Sequence, residues 1–159
     1  MARYQISAGT VDITRAYPVA VDRLFTAWTT QEALLAWSAP PEGWDMSFET
    51  FDFRTGHTDR CLFGPVGAEP YLNAVQYHEI VPGRLIRQTT TLSRAGKVMF
   101  VGALSVEFRA TGENVSELRL IETGLYPEGI DSAGDHEDGW SGMLGGLGDY
   151  LARTAAKAA

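Results

Sequence analysis

Glu122 is the residue best placed to do chemistry. It falls in an alternating stretch, Ser116 to Thr123, on the same face as Leu118 and Leu120, so its carboxylate is turned inward with them. An inward carboxylate must be paired, wet or protonated, because burying it bare is prohibitive. It fits a polar anchor or general base at the end of a cavity, or else a rim residue, or a salt bridge to a strand arginine such as Arg87. The three histidines, His57, His78 and His136, show no metal spacing with one another or with Cys61, so structural roles are expected and neither metal nor cofactor is required. His136-Glu137 is not the start of a zinc-binding His-Glu-x-x-His, because Trp140 stands where the second histidine would be. In the first turn of the last helix, His136 should have its pKa lowered by the helix dipole. Ser141 lacks a nucleophile elbow, since Met143 replaces the second glycine. Cys61 has no assigned base and reads as an inert strand cysteine. Gly145-Gly146 lies inside a helix rather than before one, so it cradles no phosphate.

Aromatic residues are the larger signal. Trp28, Trp37, Phe48, Phe51 and Tyr71 could share one interior with Tyr77, Phe100, Trp140 and Leu144. Trp44 and Phe108 belong to the same set, and core packing is the default for each taken singly. A cavity walled by several of them, with only Glu122, Arg87 or Tyr77 as orienting groups, would suit a small hydrophobic or amphipathic molecule.

The elements needed to position these residues can be read along the chain. Val11 to Tyr17 alternates as a strand that Pro18 stops. Val21, Leu24, Phe25 and Trp28 follow at helical spacing, and Thr29-Thr30-Gln31-Glu32 reads as a capping box for a second short helix burying Ala33, Leu34 and Trp37. Strands are expected over Trp44 to Arg54, His57 to Phe63, Tyr71 to Ile80 and Leu85 to Leu92. Val98 to Arg109 is the clearest strand, with Val98, Phe100, Leu104, Val106 and Phe108 on one face, and Ser116 to Thr123 follows. A Gly- and acid-rich loop, Gly124 to Gly134, leads into a long helix whose stripe includes Trp140, Met143, Leu144, Leu147, Tyr150 and Leu151. Gly142, Gly145 and Asp149 fall opposite that stripe. Such a thin face would admit close approach by another backbone, as in a homodimer, or simply tolerate glycine.

The chain has 159 residues, most simply one domain over 1–159, and a net charge of -7, which argues against nucleic acid or an anionic membrane surface as partner. No apolar run approaches a membrane span, Met1 to Gln5 has no leader-like apolar region, and the single cysteine fits a reducing compartment. A cytoplasmic location without membrane insertion is the expectation.

Three stretches resemble the activator of Hsp-90 ATPase homologue-like family, within the START-like (Bet-v-1-like, SRPBCC) superfamily. They are Tyr17-Pro18 through Phe25, Ala27-Trp28-Thr29 and Trp37; Asp52-Phe53-Arg54-Thr55-Gly56; and Tyr77-His78-Glu79-Ile80-Val81-Pro82 with Gly134 to Leu151. One departure is His57, where the family's turn has a second glycine. The resemblance implies an α+β helix-grip fold: a seven-stranded curved antiparallel sheet wrapped on a long C-terminal helix, two short helices after the first strand, and a cavity between sheet and helix. Binding of a small hydrophobic or amphipathic molecule there is the leading expectation. An enzyme doing acid–base chemistry in the same cavity, through Glu122 or a tyrosine, is one alternative, and a co-chaperone-like interaction module is another.

Overall fold

A computed structural model describes residues 5–158 of the protein, with side chains through residue 155. Residues 1–4, on which the expectation of no leader largely rested, lie outside the described residues, as does the side chain of Lys157. The order is β1 (Ile6–Tyr17), α1 (Val21–Thr29), α2 (Gln31–Trp37), β2 (Trp44–Thr50), β3 (Thr58–Pro65), β4 (Tyr71–Val81), β5 (Leu85–Arg94), β6 (Lys97–Gly112), β7 (Val115–Pro127) and α3 (Ala133–Ala158). The seven strands form one sheet in the order β1-β7-β6-β5-β4-β3-β2, antiparallel at each junction. With α3 laid against it, this is the helix-grip α+β fold. Among the described residues no helix is long and apolar enough to cross a membrane.

Alternation sets which side chains enter the interior. Ile86, Val106, Leu120 and Ile13 lie side by side across four strands and are all buried. They meet the apolar stripe of α3, where Leu144, Leu147 and Leu151 are at most 2% exposed. Trp28, Trp37 and Phe108 complete this core from α1, α2 and β6.

Four local expectations are corrected. Thr29–Glu32 is not a capping box: the N-cap of α2 is Thr30, and its hydroxyl donates back to the Thr26 carbonyl instead. Strand β2 ends at Thr50, because Asp52 and Phe53 turn away to donate their backbone N–H groups to the Asp59 carboxylate. Val98 is 57% exposed rather than inward. Phe100 pairs with Leu92 but Val98 with Ser93, so Met99 is an extra residue that reverses the alternation. Finally, β7 runs on to Pro127, through residues whose glycine and proline content suggests a loop.

That extension matters for packing. Gly9, Gly124 and Gly102 stand in one row across β1, β7 and β6. A Cβ at Gly124 would lie 2.1 Å from the Phe100 ring, and one at Gly9 would lie 2.6 Å from Ala133. The bare row seats an aromatic ring and the first turn of α3.

Candidate functional site

The interval between the sheet and α3 has two parts of different character. Over β1, β6 and β7 it is filled. Trp28 and Trp37 contact each other at 4.9 Å between ring centroids, Trp28 stacks on Trp140 at 6.1 Å, and the Trp37 indole donates to the Ala27 carbonyl at 2.8 Å. The Tyr17 hydroxyl donates to the Leu144 carbonyl at 2.9 Å, and burial pushes its pKa up to about 12. A Cβ at Gly146 would meet the Trp37 carbonyl at 2.5 Å, so this glycine serves the closeness of α3 to α2 within the chain. Trp28, Trp37 and Leu144, expected as cavity walls, are thus core residues. Gly142 and Gly145 do face open space.

The other part is open. Helix α3 packs chiefly on β1 and α2, and the inward faces of β2–β4 carry half-buried rings. Phe48 and Phe51 meet edge to face at 4.9 Å, and Phe53 lies 4.4 Å from Tyr77. Trp44, Phe63 and Tyr71 stack nearly parallel at 5.3–6.5 Å. Tyr77 itself is buried, and burial, followed by the nearby Asp59 charge, raises its pKa well beyond the normal phenol range. The hollows that stand out among the described residues lie on the outer face of the sheet. The larger, about 340 Å³ and shallow, is lined by His78, Arg87, Thr89, Ser105, Ile121 and Thr123. The concave side is therefore an aromatic trough, half filled, rather than a closed chamber.

Glu122 does point inward and is 4% exposed, yet its partner is not an arginine. Its Oε1 lies 2.6 Å from His136 Nδ1, and Oε2 accepts the Trp140 indole N–H at 3.1 Å. His136 Nε2 lies 2.7 Å from Asp131 Oδ2. One imidazole thus spans two carboxylates, which is satisfied when both nitrogens carry protons. Burial works against that charge, but hydrogen bonds and the fields of Glu122 and Asp131 outweigh it and raise the His136 pKa. The lowering expected from the helix dipole is overturned, because two carboxylates in contact exceed the partial charge of a helix end. Phe100 covers the imidazole at 4.4 Å and Tyr126 meets its edge at 5.1 Å. Phe100 is thereby a lid on this cluster, not a trough wall. The Tyr126 hydroxyl is buried without a partner among the described residues, and burial together with Glu122 and Asp131 pushes its pKa to about 12.

Arg87 is corrected as an orienting group. It alternates outward with Thr89, is 62% exposed, and pairs with Glu79 at 2.7 Å. A cation on the concave side is Arg94, which sequence reasoning passed over although it shares even parity with the inward Ile86 and Gln88. His78 is likewise outward, bonded to Thr89 at 2.8 Å. Asp52 holds the Gly56 turn through Arg54 and His57, and His57 needs no positive φ there. Cys61 is buried with its thiol pushed up to about 11. Among the described residues no three His, Cys, Asp or Glu side chains converge on a common point for a metal ion; Glu122 and Asp131 sit on opposite sides of His136.

With this geometry in hand, comparison with known proteins is decisive for family. Residues 18–152 match the family described as Activator of Hsp90 ATPase homolog 1-like protein. The chain belongs to that family. Its fold is similar to the crystal structure of Mll3558 from Rhizobium loti, with 27% identity over 92% of this chain and 99% of that one and a TM-score of 0.81. A protein from Rhizobium leguminosarum shares 22% identity over 96% and 99%, with a TM-score of 0.83. CV1439 from Chromobacterium violaceum shares 23% over 88% and 94%, with a TM-score of 0.74. No curated protein matches this family member.

Proposed function

We propose that this protein binds a small, largely apolar molecule on the concave face of its sheet and catalyses no reaction on it. The observation that carries the reading is the half-buried aromatic surface of β2–β4, which α3 leaves uncovered while burying the rest of the interior. Aromatic rings beside a few polar groups are what ligand sites use. The acid–base alternative is weaker because both Glu122 oxygens and both His136 nitrogens are already engaged within the protein. The co-chaperone-like alternative rests on family membership alone.

Thermal-shift measurement against small apolar and aromatic compounds tests this, with native mass spectrometry of the freshly purified protein. A ligand at about 100 times its Kd stabilises by about 2.7 kcal/mol, enough to raise Tm by several degrees. A stoichiometric adduct or a saturable rise in Tm is expected. A flat response to every compound, with only the bare protein mass, defeats the reading.

A further inference from the structure

We infer that the open end of the trough takes an amphipathic carboxylate, its flat apolar body on the Trp44–Phe63–Tyr71 rings and its carboxylate on Arg94. This rests on the binding reading above and narrows it to a ligand class.

Phe63 stands opposite Tyr71, and Tyr71 opposite Arg94, so the three side chains leave the same face of β3, β4 and β5. Trp44 joins them from β2, stacked on Tyr71 at 6.1 Å with 10° between the planes. The guanidinium lies 4.6 Å from the Tyr71 ring centre. Its Nε donates to the Glu69 carbonyl at 3.0 Å and one Nη to the Tyr71 hydroxyl at 3.2 Å. These contacts hold the fork in place without neutralising it. By contrast, Arg54, Arg60, Arg87, Arg109 and Arg119 each have a carboxylate within 3.0 Å, and all five are 46–70% exposed. Arg94 is half-buried, and none of the ion pairs among the described residues involves it.

A guanidinium has five N–H donors in a planar fork matched to a carboxylate, and here two are used. Because the fork is already immobilised, little conformational entropy remains to be lost when an anion docks. Lys97, opposite Arg94 on β6, adds a second positive charge at this end, while the exposed Glu69 contributes its backbone carbonyl to Arg94. A neutral ligand would cover the rings and leave the fork without its counter-charge.

Calorimetric titration with 1-naphthoate and 1-naphthalenemethanol at neutral pH separates the cases, since the two share a ring system and differ in charge. Naphthoate is expected to bind about tenfold more tightly, the equivalent of one charge-assisted hydrogen bond, with the gap narrowing in high salt. Arg94→Gln should bring naphthoate down to the alcohol's affinity while the alcohol still binds, and Arg94→Lys should keep part of the preference. Equal binding of both probes, or naphthoate affinity indifferent to Arg94→Gln, overturns the assignment of the carboxylate and leaves the binding reading standing. Absence of binding by either probe, with no ligand found by thermal shift, removes both.

Discussion

His136 does at residue scale what a disulfide or metal does in other small domains: it ties distant segments through one group. Its ring joins β7, through Glu122, to the segment before α3, through Asp131, and Trp140 adds a third tie one turn further along the helix. The linkage has a definite sign. A histidine whose folded pKa is raised contributes stability that is complete below its unfolded value, about 6.5, and is lost as pH rises through the folded value. The denaturation midpoint should therefore fall as pH is raised above about 6.5, and His136→Gln should remove that part of the slope. Parallel slopes for the two proteins would show that His136 carries no such charge. Breaking the tie from the other side is costlier. Glu122→Ala strips Trp140 of its acceptor and leaves the imidazolium half-paired, an expected loss of about 3–5 kcal/mol in urea unfolding. Tyr126→Phe is the contrasting control in the same cluster. Its hydroxyl has no partner to lose, so the substitution should be neutral or stabilise by up to about 1 kcal/mol.

Among the elements, the glycine row of β1, β7 and β6 governs how α3 begins. Gly124→Ala would drive a Cβ into the Phe100 ring, which is 2% exposed, and to 3.0 Å from the Val101 carbonyl, so overpacking should cost about 1–3 kcal/mol in the same unfolding assay. Gly139→Ala, on the open face of α3, should instead stabilise by up to about 1 kcal/mol. The contrast explains what the sequence made legible. Alternation along β7 placed Glu122 inward because the buried leucines before it share its parity. It could not supply His136, fourteen residues on, because only the packing of α3 brings the two together. Gly124 read as loop for the same reason: its lack of a side chain is explained by Phe100, a residue of another strand. One extra residue in β6 turned Val98 outward, a slip that hydrophobicity alone argues against since valine favours the interior. Arg94 lay beyond a strand expected to end at Leu92, and only the continuation of β5 to Arg94, paired with Tyr71 of β4, brings it to the inward face.

At the scale of the molecule the two regions should differ in rigidity. The part built from α1, α2, α3, β1, β6 and β7 holds most of the fully buried side chains and the Tyr17, Trp37 and Glu122 ties to helices. Strands β2, β3 and β4 rely mainly on their ladders and half-buried rings, and β2, interrupted between Phe48 and Thr50, pairs with β3 alone. Local opening free energy follows buried contacts, so amide hydrogens of β2 and β3 should exchange well before those of β6 and β7. A ligand lying on the β2–β4 rings would add contacts where they are fewest. Hydrogen exchange with and without saturating 1-naphthoate should then show new protection in peptides from β2 to β5 and almost none in β6, β7 or the second half of α3. Protection spread evenly over the chain would mean that the ligand acts on global stability from some other place, and the division of the interior into a filled and an open part would lose its functional meaning.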